Sequence, residues 1–267
     1  MSTLPFSSLI AMETHFAERL DKHIIEANRH FCQSVEGGTF VKTRNWVRGY
    51  TGSTTSTFNS LLLLTEKALD DDLLSDAAAF FNERRVPHVV AFDEHRLPSA
   101  SQFLHARSYQ PLPPQPGMVL LGPPRRLPSH PQLAVEPVRS PAAIGIYCSL
   151  VSELFGLLPD DVAHLFPARQ LQDRAFRHYL GYLEDVPVAV GTGVLVQGII
   201  SVWNVATQDH CRRQGVATAI MLRLLQDAWD DGCDASVLYS TPMAYSMYQR
   251  LGYVLYTQRR SFLPPEW

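Results

Sequence analysis

A proline-dense stretch divides the chain near its middle. About half of the 19 prolines lie between Pro111 and Pro141, in QPLPPQPGMVLLGPPRRLPSHPQLAVEP. Because proline lacks an amide hydrogen and disrupts helices, this composition favours an extended crossing between two folded units. At 267 residues the chain is long enough for two domains. We therefore expect domains at residues 1–126 and 127–267, with MVLL as a candidate last strand of the first.

The sequence of the second half predicts a clear order of helices and strands. LAVEPVRS reads as a strand, two helical segments follow, and residues 178–207 read as three strands. The next segment places apolar residues at helical spacing from Ala217 to Ala228, and Gly232 is a suitable stop. A strand, a helix opening at Pro242 and a final strand complete the order β-α-α-β-β-β-α-β-α-β.

The first half resembles a weaker copy of this order. After a helical segment from Phe16 to Cys32, strands alternate with helices, and FLHARSYQPL aligns with MYQRLGYVLY as a helix end followed by Tyr and a strand. This similarity indicates an internal repeat of one fold. Chance similarity between two helix-to-strand junctions is the alternative.

Charge and composition exclude several classes of function. The formal net charge is −3, which lacks the basic excess typical of nucleic-acid binding. No apolar run reaches the length of a membrane span, and the N-terminus lacks the features of a signal peptide. The four cysteines are scattered, without metal-ligand spacing. We expect a cytoplasmic protein with no metal, no nucleic-acid partner and no membrane partner.

The stretch RRQGVAT, residues 212–218, lies where a predicted strand leads into a predicted helix. The first N–H groups of a helix lack internal partners, and the helix dipole adds partial positive charge there. Gly215 and Ala217 keep side-chain bulk small, and Arg212 and Arg213 add positive charge. The stretch is neither a P-loop nor GxGxxG, but it predicts a site for phosphate.

The pattern Arg212-x-x-Gly215-x-Ala217 resembles the acyl-CoA signature of the GNAT superfamily of N-acetyltransferases. MYQRLGY, about thirty residues later, is similar to the second landmark of that family. With the element order from about Leu133 onwards, the resemblance covers about half the chain. It implies an α/β fold of two tandem GNAT-like domains, each a mixed, mostly antiparallel sheet flanked by helices, with the first domain degenerate.

The resemblance also implies roles for particular residues. Tyr248 matches the tyrosine that faces the sulfur of coenzyme A, where it protonates the leaving thiolate; Tyr245 is its substitute. Thr241 stands where many members have an asparagine that contacts the cofactor. The implied acetyl-CoA-binding residues are Val205, Ala206, Thr207, Arg212, Arg213, Gln214, Gly215, Val216, Ala217 and Thr218.

The acceptor side is less well defined, because the strand before the signature loop has no carboxylate to act as the general base. Asn204 is a candidate for holding a water molecule, and Glu153 and His178 are candidate bases. Trp203 and Tyr256 are expected to flank an acceptor cleft, together with Asn204 and Tyr245. Each of these residues has an ordinary structural role as its alternative.

In the first half, KALDDD stands where a signature loop is expected, and its aspartates would repel pyrophosphate. This half is therefore expected to lack coenzyme A binding and to wall off the acceptor site. The sequence predicts an acetyl-CoA-dependent N-acetyltransferase for a primary amine, on a small molecule, by direct attack. The alternatives are a non-catalytic acyl-CoA-binding module and a protein lysine or N-terminal acetyltransferase.

Overall fold

The computed structural model describes residues 6–265, and the side chains of residues 18–265. Seven helices occur in this part of the chain: α1 (Phe6–Ser34), α2 (Asp71–Glu83), α3 (Ala100–His105), α4 (Pro141–Phe155), α5 (Pro159–Leu165), α6 (Val216–Asp230) and α7 (Tyr245–Leu251). Its strands are β1 (Thr39–Lys42), β2 (Trp46–Tyr50), β3 (Ser60–Leu63), β4 (Val89–Asp93), β5 (Gln110–Pro111), β6 (Gln115–Leu121), β7 (Ala134–Pro137), β8 (Phe176–Leu183), β9 (Val186–Val196), β10 (Ile199–Thr207), β11 (Ala235–Tyr239) and β12 (Val254–Leu263).

The two halves repeat one arrangement of elements. In the first half, β1, β2 and β3 pair antiparallel, and α2 connects β3 to its parallel neighbour β4. In the second half, β7 to β10 pair antiparallel, and α6 connects β10 to its parallel neighbour β11. The prediction of two related α/β units with mixed, mostly antiparallel sheets is confirmed.

The two halves share one sheet because their last strands are exchanged. Strand β6, from the first half, lies between β11 and β12 of the second half, with Val119 opposite both Val237 and Val254. Strand β12 continues from β6 to β4 of the first half, where Arg260 faces Phe92. The resulting order is β1-β2-β3-β4-β12-β6-β11-β10-β9-β8-β7, with β5 paired to β12. The expected boundary at 126/127 falls between β6 and β7, in a segment without helix or strand.

Helix α1 lies against strands from both halves. Leu20 and Ile24 pack with Val119, Ile199 and Val237 in one apolar cluster. Nδ1 of His23 is 3.1 Å from the carbonyl oxygen of Val196. Burial of these residues joins the two halves through a common core. Among the described residues, no helix combines the length and apolar character needed to cross a lipid bilayer.

Candidate functional site

Strands β10 and β11 separate at the end of their shared ladder. The parallel pairing runs from Ile199 opposite Ala235 to Val202 opposite Leu238 and then stops, although β10 continues to Thr207. The pairing of β10 with β9 also shifts register between Trp203 and Ala206, as in a β-bulge. Asn204 within this bulge has φ +52°, in the left-handed region. The separation opens a cleft beside the last residues of β10.

A compact loop connects β10 to α6. Asp209–Cys211 form one turn of 3-10 helix, and Asp209 accepts an ion pair from Arg212 at 2.6 Å. The side-chain amide of Gln214 donates to the carbonyl oxygen of His210 at 2.8 Å. These contacts fix the loop, in which the N–H groups of Cys211 and Arg212 donate to the carbonyl oxygens of Gln208 and Asp209.

The N–H groups of residues 213–218 have no hydrogen-bond acceptor within the described part of the chain. The helix α6 has no acidic residue in its first turn and no side-chain cap. Its counterpart α2 begins differently: the carboxylate of Asp70 accepts the N–H of Asp72, and Asp71 is also in the first turn. The start of α6 therefore suits an anion, whereas the start of α2 already holds carboxylates.

Gly215, at the N-cap of α6, has φ +82°. A Cβ atom at this position would lie 2.9 Å from the backbone nitrogen of His130 and 3.1 Å from the Cα of Ser129. The glycine is thus required both by its left-handed backbone and by the segment that links β6 to β7. This contact between the linking segment and the loop could not be predicted from the motif.

A cavity of about 350 Å³ lies between the two halves, beside the separated strands. The second half contributes residues of β10, β11 and α7, and the first half contributes residues of α1, β2, β3 and β4. The residues of its wall include Ile24, Phe31, Val47, Phe58, Leu62, Val89, Ser201, Trp203, Asn204, Val205, Tyr239, Thr241, Tyr248 and Arg259. The first half therefore forms part of the cavity wall, as the sequence suggested.

Three stacked aromatic rings cross this wall. The ring of Phe31 in α1 lies between Trp203 of β10 and Phe58 of the first half, with centroid distances of 5.5 and 5.7 Å. Both pairs are close to parallel, at 17° and 18°. The Nε1–H of Trp203 donates to Oγ of Ser201 at 2.9 Å, which fixes the indole. Each ring comes from a different part of the chain, so the stack forms only when the halves meet.

Tyr248 in α7 lines the cavity and is 6% exposed. Its hydroxyl makes no hydrogen bond to the described chain, and its ring packs edge-on against Tyr253 at 5.7 Å. Burial raises the pKa of Tyr248 to about 12. The phenol is therefore protonated at neutral pH and free to donate a proton to a group in the cavity.

Of the other predicted site residues, some line the cavity and some lie outside its wall. Trp203, Asn204, Val205 and Thr241 line it. The hydroxyl of Thr241 accepts the N–H of Ala244 at 3.3 Å, so it supports the start of α7. Ala206 and Thr207 follow on β10 beyond the ladder with β11 and are outside the cavity wall.

Tyr245 and Tyr256 do not line the cavity. Tyr245 packs against the apolar core around α6. Tyr256 lies at an irregularity in the pairing of β12 with β6, and its ring packs with Leu20 and Ile24 under α1. The irregularity interrupts the alternation of side chains along β12 at this residue.

Neither candidate base reaches the cavity. His178 is buried, with Nδ1 2.8 Å from Oγ1 of Thr192 and Nε2 3.1 Å from Oε1 of Gln170. Burial lowers the pKa of His178 to about 3, so the ring is neutral and both its nitrogens are engaged. Glu153 is exposed on α4 and accepts the side-chain amide of Gln208 at 3.2 Å. Both residues have structural roles here.

A buried polar cluster that the sequence did not predict borders the cavity. Nε and Nη2 of Arg259 donate to the two carboxylate oxygens of Asp93 at 2.9 and 3.1 Å. Nη2 of Arg259 also donates to the hydroxyl of Tyr239. Burial alone would lower the pKa of Arg259, but Asp93 and neighbouring phenols raise it above its usual value. Only strand exchange brings β4 beside β12, so this ion pair left no local signal in the sequence.

Comparisons with known proteins agree with this geometry. Residues 146–253 match the model of the acetyltransferase (GNAT) family. No curated protein sequence matches the chain. The fold is similar to that of a GCN5-related N-acetyltransferase from Kribbella flavida, with a TM-score of 0.70, 16% identity and coverage of 91% of this chain and 95% of that one.

Two further structures share the fold. A GCN5-related N-acetyltransferase from Sphaerobacter thermophilus has a TM-score of 0.60 and 15% identity over 77% of this chain and 72% of that one. A tandem GNAT protein from the clavulanic acid biosynthesis pathway has a TM-score of 0.58 and 12% identity over 89% and 86%. At such identities these structures support the fold alone. Residues 146–253 thus match the GNAT acetyltransferase family model, and the similar structures support a tandem GNAT-like fold for this chain.

Proposed function

We propose that this protein is an acetyl-CoA-dependent N-acetyltransferase that acetylates a primary amine on a small molecule. The observation that carries the proposal is the run of unpartnered N–H groups at residues 213–218, at the mouth of the cleft between β10 and β11. A pyrophosphate would accept hydrogen bonds from these groups, helped by the helix dipole and by Arg213. The exposed backbone from Val205 to Thr207 would pair with the pantetheine arm.

Acetyl transfer would occur in the cavity, by direct attack of the amine on the thioester carbonyl. The bulge at Asn204 leaves that residue and Val205 outside the ladder with β9, so backbone donors near Val205 would stabilise the oxyanion. Tyr248 would protonate the departing sulfur. No covalent intermediate on the protein is required, and Cys211 is buried in the core around α6.

The position of the cavity between the two halves favours a small molecule as the acceptor. Its wall includes α1 and strands of both halves, whereas a peptide acceptor would need an open groove.

Calorimetric titration of acetyl-CoA into the wild type and an Arg213→Glu variant tests cofactor binding. Arg213 is exposed, and reversal of its charge places a carboxylate beside the proposed pyrophosphate site. We expect binding at least about tenfold weaker in the variant. Gly215 is a poor target for this test, because any side chain there would contact the Ser129–His130 backbone.

The matched control is Arg174→Glu, which makes the same charge change at an exposed position just before β8, at the other end of the sheet. The proposal fails if the wild type does not bind acetyl-CoA, or if both variants bind as tightly as the wild type.

A further inference from the structure

The cavity wall contains almost no charge. Its single charged residue among those described is Arg259, and Asp93 neutralises it through two hydrogen bonds. Within residues 18–265, no Asp, Glu, His or Lys side chain is part of the wall. A substrate ammonium group would therefore enter this site without a counter-ion and would lose part of its hydration.

The same wall contains an aromatic stack, in which Trp203 and Phe58 cover both faces of Phe31. The stack of Phe31, Phe58 and Trp203 lies along one side, and aliphatic residues of β2, β3 and β4 lie along another. Planar rings pack favourably against such surfaces in stacked or edge-on geometry. The wall thus suits a planar, uncharged ligand and disfavours an extended polycation.

Charge and shape together define the acceptor. We propose that the acceptor is an aromatic amine whose amino group is attached directly to the ring, so that it is neutral at physiological pH. This inference rests on the proposed acetyl transfer. It also explains the absence of a carboxylate base on β10, because a neutral amine already carries the lone pair that attacks the thioester.

The reaction then balances without an additional base. The amine nitrogen forms a bond to the acetyl carbon, the carbon–sulfur bond breaks, and one proton passes from nitrogen to sulfur. Tyr248 gives its hydroxyl proton to the leaving sulfur and regains a proton from the nitrogen, directly or through water. The products are an N-aryl acetamide and coenzyme A.

A comparison of p-toluidine with benzylamine tests this assignment, since the two are similar in size but only benzylamine is a cation at pH 7.5. Thiol release from acetyl-CoA gives kcat/KM for each between pH 7 and 9. We expect p-toluidine to be preferred at least tenfold at pH 7.5, with a flat pH profile. The benzylamine rate should rise about tenfold per pH unit as its free-amine fraction rises.

Two variants connect this preference to the cavity. Phe58→Leu shortens the stack, and we expect the KM for p-toluidine to rise about fivefold. Phe103 is a half-buried residue of the first half outside the cavity, so Phe103→Leu should leave the KM for p-toluidine unchanged. Asn204→Asp introduces a carboxylate into the wall and should shift the preference towards benzylamine.

Binding separates failure of this inference from failure of the proposed function. Titration of each amine into the protein without acetyl-CoA should show tighter binding of p-toluidine, even if no acetyl transfer is found. A preference for benzylamine or spermidine in either binding or turnover at pH 7.5 overturns the inference. If acetyl-CoA itself does not bind, the proposed function is overturned instead.

Discussion

Tyr248 combines burial with a hydroxyl that donates to no group in the described part of the chain. Because burial raises its pKa to about 12, the phenol stays protonated at neutral and moderately alkaline pH. A proton donor that does not titrate has no descending limb in its pH profile. Its position in the cavity places this donor beside the point where β10 and β11 separate.

Tyr248→Phe should lower kcat for amine acetylation by about 10²- to 10⁴-fold, because the leaving thiolate loses its proton donor. Binding of acetyl-CoA should be unchanged within about twofold. Steady-state kinetics and calorimetry measure the two effects. Tyr245→Phe, on the same helix but outside the cavity, is the control; an equal loss in both variants would contradict the role of Tyr248.

Three buried histidines connect stability to pH. Burial lowers the pKa of His23 and His88 to about 4 and that of His178 to about 3, from 6.5. Below pH 6.5 the unfolded chain therefore binds protons that the folded chain does not. Each histidine then favours unfolding by up to about 1.4 kcal/mol per pH unit, until the folded pKa is reached.

The free energy of unfolding should therefore fall as pH is lowered from 7 to 4.5. His88→Leu should reduce this slope, because both ring nitrogens of His88 are buried without partners. Urea unfolding at several pH values provides the measurement. His105→Leu, at an exposed position, is the control. The interpretation fails if the slope of unfolding free energy against pH is the same in His88→Leu as in the wild type.

Local sequence predicted the residues of the signature loop but only part of the acceptor site. The Arg-Gly-Ala spacing and Tyr248 each lie within one strand-to-helix unit. Their structural surroundings therefore depend on residues that are close in the sequence. Phe31 and Phe58 are brought to the cavity by contacts between the halves, and no periodicity of either segment marks them for that role.

At the level of elements, α6 and α2 show how one fold supports different helix starts. Both helices follow a strand and lead to its parallel neighbour. The carboxylate of Asp70 caps α2 from within, whereas α6 begins at a glycine with positive φ. The start of α6 is consequently less stable by itself and is supported by the segment at Ser129–His130.

Gly215→Ala should destabilise the protein by about 2 kcal/mol or more, since it combines a left-handed backbone with a close contact to His130. Gly156→Ala, at the end of α4, has φ +65° but open space around the new methyl group, so we expect a loss of about 1 kcal/mol. Urea unfolding of both variants gives the difference. Equal losses would show that the linking segment does not pack against the loop.

Most helices and strands could be predicted from apolar spacing and turn residues. The helix predicted from Phe16 begins at Phe6, and the strand expected after Tyr109 in FLHARSYQPL is the two-residue strand β5. MVLL is a strand, β6, but its partners are β11 and β12 of the second half. Strand pairing over such a distance depends on the whole assembly, so local patterns do not determine it.

At the scale of the whole molecule, strand exchange makes each half depend on the other. Without β6, the facing edges of β11 and β12 would lose their partner and expose backbone groups. The helix α1 adds a second connection, because it packs on strands of both halves. The cavity lies at this junction, so the integrity of the fold and the shape of the acceptor site are coupled.

The full chain should unfold in one cooperative transition, with calorimetric and van't Hoff enthalpies in agreement. A fragment of residues 127–267 lacks β6 and α1 and should not form a stable, acetyl-CoA-binding domain. Differential scanning calorimetry and titration of both proteins test this. A fragment that unfolds cooperatively and binds acetyl-CoA would show that the halves are independent.

We propose acetyl transfer to an amine in the cavity between the halves. Its most direct test is single-turnover incubation of the wild type and Tyr248→Phe with acetyl-CoA and an amine panel that includes p-toluidine, with the amide detected by mass spectrometry. We expect an N-acetylated product with the wild type and a rate lower by about 10²-fold or more with the variant. Tight binding of acetyl-CoA without amide formation from any amine would contradict it and would identify a protein that only binds the cofactor.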